Sequence, residues 1–277
     1  MEKTLFAVAL FIVGLCLGSF VNAAVWRIKN KKDLLKDRSE CTHCHHKLSW
    51  LDLFPVLSWV FLRGKCRYCK KPISAQYPLV ELAVAAFFVV SLAFWPFGFS
   101  NTNEILQFSV WLLAGVGLAI LFVYDIKWLL LPDRVVFPLI GLGIIMTILH
   151  GLGSTNVLSF ATDVIGSLLI LSGFYLILFI FSSGRWVGFG DIKLGVALAL
   201  LLCDWKLALL TLFLANLIGT LVFAPALITK KIKRTSHVPF GPFLIAGFLI
   251  AGIFGVQIVE WYTTLIYSGV DIPHQMY

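Results

Sequence analysis

The sequence predicts an all-α fold: a polytopic membrane helical bundle of about eight transmembrane helices with a small cytoplasmic loop domain. Three observations predict it. Of 277 residues, 60% are hydrophobic and 13% charged, where a soluble domain is nearer half apolar and a quarter charged. The mean hydropathy is +0.93. Apolar segments recur along the chain at lengths near the ~20 residues that a ~30 Å hydrocarbon core requires. These proportions exclude disordered, collagen-like, coiled-coil and disulfide-stapled secreted chains.

The apolar segments read Leu5–Val25, Pro78–Trp95, Ile105–Tyr124, Val135–His150, Val164–Phe181, Leu194–Cys203, Leu207–Ile228 and Phe243–Val259. The sixth is too short to cross unaided. The first is expected to be a retained span and not a cleaved signal, because Glu2 and Lys3 make a poor basic leader and no Ala-x-Ala-like site follows. Glycines inside spans, such as Gly115 with Gly117 and Gly141 with Gly143, suit close helix packing in lipid.

Charge sets the expected orientation. With the N-terminus outside, the inward loops cover about 26–77, 124–134, 182–193 and 229–242, and they hold 20 of the 22 Lys and Arg residues. That segregation is the positive-inside signature, and it places both termini outside. The net charge of +8 is therefore a topology signal. Its expected partner is the anionic lipid surface, and no nucleic-acid partner is expected. The chain divides into a first transmembrane helix (1–25), a cytoplasmic loop domain (26–77) and a membrane-embedded domain (78–277).

Four of the six cysteines form Cys41-x-x-Cys44 and Cys66-x-x-Cys69. Each pair offers two thiolates on one tight knuckle, and two knuckles supply the tetrahedral set that zinc prefers. With four sulfurs there is no open position for water, so a Zn2+ here is expected to be structural. Redox-active pairs are the alternative, and His43, His45 or His46 could replace one thiolate. Cys16 and Cys203 read as buried small hydrophobes. The apolar stretch Leu48–Trp59 between the knuckles either packs around the metal or lies on the bilayer surface.

Ionisable groups at span ends are functional candidates. Asp125 ends the third span and Asp191 precedes the sixth in Gly188-Phe-Gly-Asp-Ile-Lys-Leu194, where Gly188 and Gly190 permit close backbone approach. Asp133 reads as a helix cap and Asp163 as a solvated span end. Asp125 and Asp191 fall on the same inner side. Two carboxylates within reach of each other share a proton, and one can then activate water while the other polarises a carbonyl. Spacing alone does not show that they meet.

From about Gly14 to Pro242 the chain resembles the type IV prepilin peptidase family, intramembrane aspartyl proteases of the GxGD type. The resemblance runs through Gly18-Ser-Phe-Val-Asn22, Arg27, both Cys-x-x-Cys pairs with Trp50, Asp52, Pro55, Ser58-Trp59 and Arg63-Gly64 between them, and Tyr77-Pro78 with Glu81. It continues through Asp125, Leu131-Pro-Asp133, Gly188–Leu194 and Pro239-Phe-Gly-Pro-Phe243. It implies Asp125 and Asp191 as the catalytic pair, with Gly188, Gly190 and Lys193 in the active-site loop. It also implies that prepilin or pseudopilin precursors are cleaved after glycine and then N-methylated from S-adenosylmethionine, the four-cysteine loop belonging to the methyl-transfer part. The first knuckle departs from the family, with Thr42 where proline is usual. No glycine-rich nucleotide fingerprint marks the S-adenosylmethionine site. Glu81 and Asp52 are its polar candidates.

Two other classes compete. A proton-coupled transporter predicts acidic residues in the middle of several spans, and these are sparse. A zinc-loop assembly factor without catalysis accounts for the cysteines but leaves Asp125 and Asp191 without a role.

Overall fold

The computed structural model describes residues 2–34, 37–228 and 239–268. The basic residues Lys230, Lys231, Lys233 and Arg234, which contribute to the expected inward loop, lie outside the described residues. The elements are α1 (Glu2–Lys29), α2 (Leu57–Phe61), α3 (Gln76–Phe94), α4 (Thr102–Trp128), α5 (Asp133–Gly153) and α6 (Val157–Leu168). A π-helical turn (Leu169–Gly173) joins α6 to α7 (Phe174–Ser182), and α8 (Phe189–Leu202), α9 (Trp205–Ile228) and α10 (Gly241–Ser268) follow. Among the described residues there is no β-strand. The chain is a multi-pass helical membrane protein, and among its described residues seven helical stretches are long and apolar enough to cross a bilayer.

The expected count was about eight, and the difference is the sixth segment. It forms α8, 14 residues long, or about 21 Å at 1.5 Å per residue, which falls short of a ~30 Å core. The chain forms two compact units, one of residues up to Trp95 with Phe99–Met146, the other of Pro96–Gly98 with the chain from Thr147 onward.

In the first unit, α1 and α3 meet through small residues. A Cβ on Gly14 would lie 2.6 Å from the Cα of Ala85, and one on Gly18 would lie 2.5 Å from the Cα of Glu81. This is close packing of the kind that small residues four apart permit in lipid. One turn further, Asn22 continues the same face. Its Nδ2 donates to the Tyr77 carbonyl at 3.0 Å, and its Oδ1 accepts from Gln76 Nε2 at 3.3 Å. Cys16 departs from expectation: it is exposed, not buried. It lies two residues from both Gly14 and Gly18, which at ~100° per residue turns it away from the α3 contact. Helix α4 is the most buried of the spans, and its Trp111 Nε1 donates to Ser91 Oγ of α3 at 2.9 Å.

In the second unit, α8 is held from several sides. Ile192, Leu194, Gly195, Ala197, Leu198, Ala199, Leu201 and Leu202 are all buried, the pattern of a core helix. A Cβ on Gly195 would sit 2.2 Å from the carbonyl oxygen of Leu171, inside the π-helical turn. Ser172 Oγ donates to the Ile192 carbonyl at 3.3 Å, and Thr147 Oγ1 donates to the Leu200 carbonyl at 2.9 Å. Cys203 is buried as expected, with its thiol donating to the Leu200 carbonyl at 3.1 Å.

Candidate functional site

The four cysteines of the loop converge. Their Sγ atoms all lie within 4.8 Å of one another, and Cys41 and Cys69 are 3.9 Å apart. Zn–S bonds of about 2.3 Å in a tetrahedron put the sulfurs about 3.8 Å apart, so this arrangement fits zinc. The two knuckles share one backbone design. His45 N–H donates to the Cys41 carbonyl and Lys70 N–H to the Cys66 carbonyl, both at 3.0 Å. The return bonds run from Cys41 N–H to His46 at 3.0 Å and from Cys66 N–H to Lys71 at 2.9 Å. His45 and Lys70, each following the second cysteine of its pair, both have positive φ, 57° and 59°. Thr42 in place of proline leaves this pattern intact.

Burial opposes ionisation of Cys41, but the backbone N–H groups of Cys44 and His43 outweigh it and lower the thiol from its usual value, while the neighbouring Cys41 helps to raise Cys44, so the first thiolate of this knuckle forms at Cys41. Two of the three histidines are engaged elsewhere. His45 Nδ1 lies 3.6 Å from Glu40, and the His46 ring is 3.7 Å from that of Tyr68.

Asp52 ties the two knuckles together. Its Oδ2 accepts from Ser49 N–H at 3.1 Å, Ser49 Oγ at 2.8 Å and Tyr68 Oη at 3.2 Å, while Oδ1 accepts from Arg67 Nε at 2.7 Å. Burial works against the charge, yet Arg67 and Ser49 hold the carboxyl below its usual range. Both oxygens are occupied, which makes Asp52 a structural clamp. The stretch between the knuckles turns many of its large apolar side chains outward. Trp50, Phe54, Leu57 and Phe61 are exposed, whereas Trp59 points its Nε1 at the Ile73 carbonyl, 3.1 Å away.

Between the cysteine loop, α1 and α3 lies a cavity of about 420 Å³ whose lining includes Asn22, Arg27, Trp59, Tyr77 and Glu81. Glu81, only 6% exposed, sits in the second turn of α3. Its Oε2 accepts from Val56 N–H at 2.7 Å, which holds a β-branched residue at φ 60°. Arg27 is 9% exposed and reaches the carbonyl of Leu34 and Ser39 Oγ. Of these residues, only Glu81 was singled out chemically from sequence. Arg27, Trp59 and Tyr77 carried the resemblance, but no local pattern marks them as facing one cavity.

The two aspartates stand in different units. Asp125 lies in the last turn of α4 and is 5% exposed. Asp191 is in the first turn of α8, where its Oδ2 accepts from Gly188 N–H at 3.2 Å. Lys193 Nζ lies 5.5 Å from the centre of the Phe189 ring. Asp133 is the first residue of α5, and Asp163 lies within α6. Sequence reasoning passed over Tyr175, whose buried hydroxyl has no hydrogen-bond partner among the described residues. An aromatic residue inside an apolar run gives no signal of this.

Fold and site together define a multi-pass membrane protein with a four-cysteine loop and carboxylates at its span ends. Residues 12–95 match the Bacterial Peptidase A24 N-terminal domain, and residues 111–224 match the Type IV leader peptidase family. A Prepilin leader peptidase/N-methyltransferase of Aeromonas hydrophila is 32% identical over 92% of this chain and 92% of its own. Proteins of the same name from Stutzerimonas stutzeri (31% identical, 93% of both chains) and Bacillus subtilis (32%, 91% of this chain and 96% of its own) are equally similar. No solved structure matches the chain. The chain belongs to the prepilin leader peptidase/N-methyltransferase family.

Proposed function

We propose that this protein cleaves the short basic leader from type IV prepilins or pseudopilin precursors after a glycine, and then N-methylates the new N-terminal residue. The observation that carries the peptidase reading is Asp125, a carboxylate only 5% exposed at the end of a 27-residue apolar helix. A buried intramembrane carboxylate is costly unless it has work to do. In this reading Asp125 and Asp191 share one proton. The ionised member takes a proton from water as it attacks the scissile carbonyl, and the protonated member donates a hydrogen bond to the carbonyl oxygen. Gly188 and Gly190 give the substrate backbone room beside Asp191, and Lys193 belongs to the same loop.

Residues 26–77 form the cytoplasmic domain of this division, after a first transmembrane helix (1–25) and before the peptidase domain (78–277). Cys41, Cys44, Cys66 and Cys69 would hold Zn2+, which closes the loop and takes no part in the chemistry. S-adenosylmethionine, when bound, supplies an electrophilic methyl group. The membrane is the bacterial inner membrane, with both termini outside and the cysteine and aspartate loops cytoplasmic, facing anionic lipid. That orientation needs an even number of passes. In this reading the eighth pass is α8 together with the residues on either side of it, since its 14 residues are too few to cross alone.

The test is cleavage of a detergent-solubilised prepilin by wild type, Asp125→Asn and Asp191→Asn. Asparagine keeps the shape and cannot act as the base, so both variants are expected to lose cleavage while staying folded. Undiminished cleavage by either would remove that aspartate from the mechanism.

A further inference from the structure

Buried charges are ordinarily paired. The cavity beside the cysteine loop is lined by two that are not. Arg27 is 9% exposed, and its hydrogen bonds go to neutral acceptors on Leu34 and Ser39. Glu81 is 6% exposed and accepts from the neutral Val56 N–H. Among the described residues neither has an ion-pair partner, whereas the cavity's other carboxylates do, Glu40 with Lys32 and Asp52 with Arg67. One buried guanidinium and one buried carboxyl therefore face the same space without an ion-pair partner among the described residues.

We propose that this cavity binds S-adenosylmethionine, with Arg27 holding the carboxylate and Glu81 facing the sulfonium. The proposal rests on the methyltransferase reading above and deepens it. The volume, about 420 Å³, lies within the ~300–1,000 Å³ of small-molecule sites. Glu81 is level with Gly18 on α1, and Arg27 lies nine residues further, about 13 Å along the helix axis. The two groups therefore stand apart along one cavity, as the carboxylate and sulfonium of the ligand do. A guanidinium is built for bidentate capture of a carboxylate. Trp59 and Tyr77 add aromatic walls against which an adenine ring can stack and a sulfonium is favoured. The absence of a glycine-rich phosphate loop is consistent, since this ligand carries no phosphate.

The experiment is equilibrium dialysis on the full-length protein in detergent with three ligands: S-adenosylmethionine, S-adenosylhomocysteine (no sulfonium charge) and decarboxylated S-adenosylmethionine (no carboxylate). Arg27→Gln is expected to weaken the first two by about tenfold or more, as loss of a charged hydrogen bond does, and the decarboxylated ligand little. Glu81→Gln is expected to weaken the two sulfonium ligands by a similar factor and S-adenosylhomocysteine little. Arg27→Lys, which keeps the charge, should recover part of the loss. Equal weakening of all three ligands by both variants would mean a merely structural role and would overturn the proposal. So would unchanged binding in both variants of a protein that still methylates prepilin, which would leave the methyltransferase reading standing. A wild type that neither binds S-adenosylmethionine nor methylates would overturn the reading and the site together.

Discussion

Gly18 of α1 and Glu81 of α3 are so close that a single added Cβ would lie 2.5 Å from the Glu81 Cα. The contact is with backbone, so nothing flexible can move aside. The same glutamate holds the Val56 N–H, and this one helix crossing therefore positions both the cavity wall and the start of α2. Gly18→Val should destabilise the first unit by about 1–3 kcal/mol through overpacking and lower affinity for S-adenosylmethionine. Gly141→Ala is the control, because no atom lies within 4 Å of its added Cβ. Thermal unfolding and ligand dialysis of both variants check this, and equal behaviour of the two would refute it.

Much of the fold was legible because its causes are local. Apolar runs of membrane length, Cys-x-x-Cys knuckles and an Asp beside two glycines can each be read within a dozen residues. What escaped depends on contacts distant in sequence. The sixth segment reads as too short, and α8 is short, but sequence does not show that Leu171 and Ser172 pack against it. Cys16 looked buried because its neighbours are apolar, and helix phase decides otherwise. Arg27 read as one of many inward charges, and only the fold shows it inside a cavity with Glu81.

Removal of the metal tests the four-sulfur assignment. The protein should carry about one zinc per chain by mass spectrometry, and Cys→Ser at position 41, 44, 66 or 69 should abolish it. Cys16→Ser and Cys203→Ser should retain it, since both lie outside the cluster. Chelation should lower the thermal midpoint, because structural zinc contributes its binding free energy to folding. A full complement of zinc in any one of the four cluster variants would exclude that cysteine as a ligand.

Asp52 gives a pH dependence whose sign is fixed. Arg67 and Ser49 hold its folded pKa below the usual value, so the unfolded chain binds the proton more readily. The stability it contributes is fully present above the unfolded pKa of about 3.9 and is lost as pH falls through the lower folded value. Asp52→Asn should therefore destabilise the loop by roughly 1–3 kcal/mol near neutral pH and flatten the acid limb of stability against pH. Parallel acid limbs in wild type and variant would show that the Asp52 clamp contributes nothing.

Gly195 is the position where the peptidase reading meets the π-helical turn. The Leu171 carbonyl would stand 2.2 Å from an added Cβ, and that oxygen belongs to a backbone segment already wound as a π-turn. Gly195→Ala must push α8 away from this turn, and Asp191 sits one helical turn earlier on α8. Displacements of about 1 Å are enough to cost ~100-fold in rate where reacting groups must be aligned. Gly195→Ala should therefore depress prepilin cleavage by at least tenfold, while the zinc content of the first unit stays at the wild-type level. Gly173→Ala provides the comparison within the same contact region. Its nearest neighbour to an added Cβ is 3.7 Å away, an ordinary van der Waals distance, and alanine favours helix over glycine, so cleavage should be preserved. Wild-type cleavage by Gly195→Ala would show that the contact between α8 and the π-turn does not position Asp191.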